Sequence, residues 1–217
     1  MNDEALKKLR LGLDDLGLSL SSVQQSVLLD YLELLARWNR VFNLTSIESV
    51  QEGVTRHLLD CLSLVPYLRD RGVAEDAKII DVGSGGGLPA VVLSVCFPKA
   101  EIISIDAVGK KSRFVSQAAA QLRLPNLQAV HARIEDCRDL SADLAVCRAF
   151  SSLRLFLSLT EHCVRLGGTW IAMKGKRPDS EMKDLPENFF VSDVRYPVRV
   201  PGLQEDRTFL EIKRKGT

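Results

Sequence analysis

No apolar run in these 217 residues approaches the roughly 20 needed to span a bilayer, so no transmembrane segment is expected. The acidic start Met1-Asn2-Asp3-Glu4 leads into no apolar signal core, so secretion is not expected either. Cysteine is sparse. The five residues Cys61, Cys96, Cys137, Cys147 and Cys163 are odd in number and scattered, with no C-x-x-C pair. That speaks against a disulfide framework and against a zinc site, so no metal is expected. A reducing cytoplasm fits best. There is no internal repeat and no low-complexity tract. Net charge is also small, at +1, and by itself announces no polyanionic partner. Residues 148–217 nevertheless carry 13 Lys and Arg against 9 Asp and Glu. This basic third is compatible with binding a polyanion and equally with ordinary solvated faces.

What is present is an ordinary globular composition, 46% hydrophobic and 26% charged, enough for one sizeable core with an appendage. Two periodicities divide the chain. Residues 3–16 carry Leu6, Leu9 and Leu13 on one helical face. Ser21-x-x-Gln24 is a capping-box pattern. It opens a longer helix with Val27, Leu28, Tyr31, Leu32, Leu35 and Trp38 at helical spacing. A third helix is expected over 48–69, and 70–77 reads as a polar junction. From Lys78 onward apolar β-branched runs alternate with helical ones. Strands are expected near 79–82, 100–106, 127–131, 144–147 and 169–173. Helices are expected over 88–97, 110–122 and 153–166, the last closed by Gly167-Gly168. Such alternation implies right-handed crossovers and a parallel sheet covered on both faces. Phe189 to Val200 and Thr208 to Lys213 have no helix-length segment between them, so they read as an antiparallel hairpin on the sheet edge. The expected organisation is an α/β, Rossmann-like fold. It has a mostly parallel seven-stranded sheet (78–217), an antiparallel C-terminal hairpin and an N-terminal helical extension (1–77).

The chemistry centres on Asp81-Val82-Gly83-Ser84-Gly85-Gly86-Gly87-Leu88-Pro89. This is a strand, a glycine turn and a helix start, with Pro89 suited to the first helical turn. Glycines there adopt φ > 0 and let a ligand approach the backbone at a helix N-terminus. In open parallel sheets ligands sit beyond the carboxyl ends of the strands. Asp106, Ile134-Glu135 and Arg148 fall at neighbouring strand ends. Asp106, 19 residues past Gly87, stands where an acid accepts from both ribose hydroxyls of an adenosine. Ile134-Glu135 suits an adenine. Gly85-x-Gly87-x-x-Ala90 formally fits a dinucleotide, and an NAD-dependent oxidoreductase is one reading. A binding-only module is another. An acid at Asp81 favours S-adenosylmethionine instead, because its sulfonium and ammonium are cationic whereas a pyrophosphate would be repelled.

Several motifs together resemble one family. They are Trp38-Asn39-x-x-Phe42-Asn43-Leu44-Thr45, Arg56-His57-Leu58-Leu59-Asp60-Cys61, the glycine turn through Leu88-Pro89, Arg148-Ala149-Phe150 and Lys174-Gly175. Their order and residues are similar to the bacterial glucose-inhibited division protein B family, also called ribosomal RNA small-subunit methyltransferase G, from about residue 20 to the C-terminus. The resemblance implies a class I S-adenosylmethionine-dependent methyltransferase acting on N7 of one guanosine in the 530 loop of 16S rRNA. The substrate would be 16S rRNA or a small-subunit precursor, and the enzyme a cytoplasmic monomer with no membrane or metal partner. It implies cofactor contacts at Gly83, Leu88, Asp106, Ile134, Glu135 and Arg148, to which the residues themselves add Asp81 and Gly85. One departure is Gly86, where some members carry proline.

The residues that are missing agree with N7 chemistry. Guanine N7 has an available lone pair, so no general base is needed. No Asn/Asp-Pro-Pro-aromatic motif follows the fourth strand, and Cys147 follows valine, reading as a small buried residue rather than a nucleophile. The remaining task is in-line positioning, which can lower a barrier by roughly 7–11 kcal/mol. Arg148 suits the cofactor carboxylate or guanine O6. His57 and Asp60, at i,i+3, are expected near the guanine pocket by the family match. Asn39 and Asn43, accompanied by Trp38 and Phe42, either contact RNA or cap helix ends. Lys174, Lys176 and Arg177 after the fifth strand are candidate phosphate contacts. Lys110, Lys111 and Arg113 beside the cofactor pocket carry the same two readings, phosphate contact or solvated basic run, and Arg207 in the hairpin loop is a further candidate.

Overall fold

Lys78–Val82, an apolar run broken only by Asp81, becomes strand β1 inside a seven-stranded sheet. The computed structural model describes residues 3–47, 49–138, 140–148 and 150–216. Glu48, expected at the start of the third helix, and Ala149 of the Arg148-Ala149-Phe150 motif lie outside them.

The other strands are β2 (Glu101–Asp106), β3 (Leu127–His131), β4 (Ala142–Arg148), β5 (Val164–Lys174), β6 (Phe189–Val198) and β7 (Arg207–Arg214). Their order across the sheet is β3-β2-β1-β4-β5-β7-β6. The first five are mutually parallel, and β7 pairs antiparallel with both β5 and β6. The expected α/β fold with its antiparallel C-terminal hairpin is what the chain forms. Parallel strands covered on both faces read as continuous apolar runs, as Ile79-Ile80 and Ile102-Ile103 do.

Before β1 come α1 (Asp3–Asp15) and α2 (Ser22–Phe42). The predicted capping box forms at Ser21 and Gln24, and Asn43 ends α2 in the left-handed region at φ 48°. The helix expected over 48–69 begins at Val50, with Ser49 accepting from the Glu52 N–H. It is also not uniform. After α3 (Val50–Gly53) it widens into a π turn over Val54–Leu59, then tightens through α4 (Asp60–Leu62) and α5 (Leu64–Asp70). A π turn inserts a residue into the helix and re-aims the side chains around it, and this one carries Arg56 and His57.

Further along lie α6 (Ala90–Cys96), α7 (Gly109–Gln121), α8 (Leu153–Thr160) and α9 (Asp179–Lys183). On one face, α1 to α7 share a single apolar cluster with alternate strand residues, running from Leu9 and Leu28 to Val91 and Ile102. On the other face α8 packs with Ile80, Ile103, Trp170 and Leu210.

Three boundaries moved for identifiable reasons. The helix expected over 153–166 stops at Thr160. The Thr160 hydroxyl donates back to the Phe156 carbonyl (2.6 Å) and accepts from the Trp170 indole (2.9 Å). A 3-10 turn follows, and Val164 already pairs with Ala142. Gly167-Gly168 therefore does not close a helix. Gly167, at φ +77°, sits in β5 beside a register shift between Ala142 and Leu144. The helix expected from 88 starts at Ala90, preceded by a cis Leu88–Pro89 peptide. Arg207 lies not in the hairpin loop but on β7, one strand from β5.

Candidate active site

Because β1, β2, β3, β4 and β5 run parallel, their carboxyl ends meet at one end of the sheet, and two clusters assemble there. The first is the glycine turn. Gly83 and Ser84 N–H both donate to the Ile105 carbonyl (2.9 and 3.2 Å), which pins the turn to β2. Gly87, at φ +87°, has no room for a side chain. A Cβ there would stand 2.9 Å from Val115 and 3.3 Å from Val91. Gly85, at φ +58°, is open, with nothing within 4 Å of a Cβ. The tight glycine packs the turn onto α7, and the open one leaves a cradle. Tyr31 donates from α2 to the Gly86 carbonyl (2.7 Å), so the N-terminal helices touch this turn directly.

Two acids hold the turn from below and from the side. Asp106 accepts from Gly85 N–H through Oδ2 (2.9 Å) and from Val108 N–H through Oδ1 (2.8 Å). Asp81 is fully buried. Its Oδ2 accepts from Ala90 N–H at the start of α6 (3.0 Å), and its Oδ1 is buried without a hydrogen-bond partner. Burial pushes its carboxyl up to about 7, against the pull of the Ala90 N–H. Leu88 and Ile134 are buried, Ile134 in one cluster with Val82 and Ile105, while Glu135 is exposed. The residues fit a cationic adenosine cofactor. An open glycine cradle, an acceptor carboxylate beside it and a buried acid under it suit such a molecule.

The second cluster lines a cavity of about 540 Å³ that includes Ile47, Arg56, His57, Asp60, Arg148, Met173, Lys174 and Arg207. Asp60 is its centre. Its Oδ1 accepts from Arg207 Nε (2.8 Å) and its Oδ2 from Arg148 Nη1 (3.3 Å), with the Asp60 side chain only 6% exposed. Arg148 Nη1 also donates to the Arg56 carbonyl on the π turn (3.3 Å). A carboxylate between two guanidiniums gives each of the three charges a partner and leaves the trio with a net charge of +1.

His57 is held at both nitrogens. Nδ1 faces the Arg56 carbonyl (3.1 Å) and Nε2 faces the Thr45 hydroxyl (2.9 Å). A carbonyl only accepts, so Nδ1 carries the proton and Nε2 accepts from Thr45. Burial, then the Arg148 charge, pulls the imidazole down to about 4, so the ring is neutral at pH 7.

The cavity thus brings together His57, Asp60, Arg148, Lys174 and Arg207. It does not include the two asparagines. Asn39 Oδ1 accepts from Thr45 N–H (2.8 Å) and Asn43 ends α2, so both shape the loop that presents Thr45 and Ile47. These are bonds of the helix-end kind. Lys174 is turned inward, to Glu181 and the Phe150 carbonyl. Arg177 pairs with Asp179 (2.8 Å), and Lys176 is exposed. Cys147 is buried, and burial pushes its thiol well up, which suits packing and not attack. Thr45, Met173 and Glu181 were not singled out from sequence. Thr45 and Arg56 lie inside quoted motifs, which was the available signal. Among the described residues no group of three or more His, Cys, Asp and Glu is placed to hold a metal ion. No helix there is long and apolar enough to cross a membrane.

The two shifted groups oppose each other in a pH titration. His57 protonates less readily folded than unfolded, so its contribution to stability is complete above pH 6.5 and is lost as pH falls toward 4. Asp81 holds its proton more tightly folded, so its contribution is complete below 3.8 and is lost as pH rises toward 7. The depressed carboxyls, among them Asp143 and Asp193, act below this window. Unfolding free energy measured by urea titration is therefore expected to be nearly flat between pH 4.5 and 6.5. In Asp81→Asn it should rise with pH by about 1.4 kcal/mol per unit, and in His57→Gln it should fall by a similar slope. Identical profiles for all three proteins would contradict this assignment.

A family model described as rRNA small subunit methyltransferase G matches residues 24–210. The chain is 42% identical over 215 residues to ribosomal RNA small subunit methyltransferase G of Stutzerimonas stutzeri (strain A1501), covering 99% of this chain and 98% of that one. It is 44% identical over 211 residues to the protein of the same name from Pseudomonas aeruginosa (strain LESB58), covering 95% and 94%. A solved SAM-dependent methyltransferase from Aquifex aeolicus superimposes with a TM-score of 0.56 at 17% identity, over 71% of this chain and 91% of that one. Coclaurine N-methyltransferase bound to N-methylheliamine and SAH gives 0.54 at 10% identity, over 88% and 72%. At those identities the structural likeness is one of fold.

Proposed function

The chain belongs to the rRNA small subunit methyltransferase G family, and on that premise we propose that it methylates N7 of one guanosine in the 530 loop of 16S rRNA. The nicotinamide-dependent reading that the glycine spacing allows finds no support in that membership. Bound at the glycine turn, S-adenosylmethionine supplies an electrophilic methyl group. Gly83 and Gly85 leave the space, Asp106 offers an acceptor to the ribose, and Ile134 an apolar surface to the adenine. Asp81 lies beneath as the compensating acid for a cationic ligand.

The observation that carries the N7 reading is that, among the described residues, His57, Asp60 and Glu52 at the cavity wall are all already engaged. His57 is neutral with both nitrogens engaged. Asp60 is held by Arg148 and Arg207, and Glu52 by Arg56 (3.1 Å). An acceptor that needed deprotonation would find no partner among these groups, whereas N7 presents its lone pair already formed. Arginine at this position suits O6, which shares one edge of the base with N7, without covering N7. The remaining work is holding the base in line, which a rigid ion-paired wall does well.

The test is the position of label. After reaction with methyl-labelled S-adenosylmethionine and small ribosomal subunits, nuclease digestion should yield 7-methylguanosine from the 530 loop and nothing else labelled. Label on an exocyclic amine, or on a protein, would overturn the proposal.

A further inference from the structure

We propose that Lys174 and Glu181 are positioning residues that rivet the segment after β4 against the glycine turn, and that Lys174 is not a contact for RNA phosphate. The proposal rests on the reading of that turn as the S-adenosylmethionine site.

The stretch from Phe150 to Leu153 lies between the two clusters. Arg148, just before it, faces the cavity. Phe150 faces the other way, with its ring 3.8 Å from where a Cβ on Gly83 would stand and 5.4 Å from the Phe156 ring. Whatever holds this short stretch sets both the guanidinium and the aromatic face.

Its two ends are held by one ion pair. The Phe150 carbonyl accepts from Lys174 Nζ (3.0 Å), and the Leu153 N–H donates to Glu181 Oε2 (2.8 Å). Lys174 and Glu181 bond to each other at 2.8 and 3.1 Å. Lys174 comes from the end of β5 and Glu181 from α9, so the pair ties the segment to two separate elements. Glu181 also puts its charge at the first N–H of α8, where a carboxylate is favoured.

The donor inventory of Lys174 is then complete. An ammonium has three N–H donors, and three acceptors are present: the Phe150 carbonyl and both Glu181 oxygens. Its side chain is 11% exposed. No proton is left for a phosphate, and reaching one would cost the segment its anchor.

Binding of S-adenosylhomocysteine by calorimetry, binding of small ribosomal subunits at several salt concentrations, and thermal melting together test this. Lys174→Met and Glu181→Gln should each weaken S-adenosylhomocysteine about tenfold. The double variant should be no weaker than the worse single one, because the two residues act as a unit. Lys174→Arg, which keeps charge and donors, should recover to within about threefold of wild type. The dependence of subunit affinity on salt should keep its slope in all of them. Glu181 is more exposed than Lys174, so Glu181→Gln serves if Lys174→Met fails to fold. Unchanged S-adenosylhomocysteine binding in Lys174→Met, with weaker subunit binding and a salt slope reduced by about one, would make Lys174 a phosphate contact and overturn the proposal. Additive losses would overturn it too. A wild-type protein that bound no S-adenosylhomocysteine would instead sink the underlying reading of the glycine turn.

Discussion

Asp60→Ala is expected to abolish methyl transfer to small ribosomal subunits to below one per cent of wild type and to lower stability by about 3 kcal/mol. The reason is the charge left behind. Asp60 is the carboxylate shared by Arg148 and Arg207, whose side chains are 24% and 19% exposed. Removing one partner of a buried ion pair costs about 3–5 kcal/mol, and partial exposure of the guanidiniums places this case at the lower end. In a domain of this size such a loss lowers the melting temperature by about 6–12 °C. Activity falls for a separate reason, since a displacement of about 1 Å in a positioning group can cost 100-fold. The two effects separate in Asp60→Ala/Arg207→Met. Removing one guanidinium should return much of the melting temperature and none of the activity. A single variant that melts with wild type would mean that Asp60 does not neutralise these arginines in solution.

Asp106→Ala is expected to weaken S-adenosylhomocysteine by about 100-fold, measured by calorimetry. The carboxylate accepts from the Gly85 and Val108 N–H groups, so it shapes the turn in addition to its proposed role as the ribose acceptor. Hydrogen bonds to a charged group are worth about 1.5–3 kcal/mol each. Losing the ribose acceptor together with the anchor of Gly85 gives a combined penalty of about 3 kcal/mol. Asp106→Asn keeps one acceptor and replaces the other by a donor, so it should fall between. A change below threefold in Asp106→Ala would remove this residue from the ribose.

Most of the sheet was legible because its signals are local. Ile79-Ile80 and Ile102-Ile103 are β-branched runs that suit a doubly covered strand, and Ser21 and Gln24 announce α2 by themselves. The glycine turn was legible for the same reason, since its motif is contiguous. The segments that misled carry signals that compete. The run from Leu153 to Leu166 has helical spacing throughout, but Val164 and Leu166 are also at strand spacing. The Thr160 hydroxyl, bonded back to Phe156 and across to Trp170, decides in favour of the strand. The π turn has no punctuation in sequence, because Val54 to Leu59 would also make an ordinary helix.

In the site, residue types were legible and their partners were not. Asp60 and Arg207 are 147 positions apart, and Lys174 meets the Phe150 carbonyl from a strand two elements later. Such pairings are set by the sheet order, in which β7 enters between β5 and β6. That insertion also explains why Arg207, read as a loop residue, belongs to the cavity wall. The asparagines illustrate the converse. Asn39 bonds six and eight residues on, to the Thr45 N–H and the Ile47 carbonyl, a local turn role that the sequence already offered as an alternative.

The place of β7 has a consequence for how the protein is made. A ribosome delivers β5 and β6 first, yet these strands never touch in the finished sheet, because β7 lies between them. Until residues 207–214 emerge, the edge of β5 is unpaired and the cavity lacks one of the two guanidiniums around Asp60. The glycine turn, by contrast, is complete more than a hundred residues earlier. A nascent chain could therefore hold the methyl donor before it owned a wall for the acceptor. A frameshift between Gly87 and Arg207 would leave a chain with every glycine of the turn and no finished sheet.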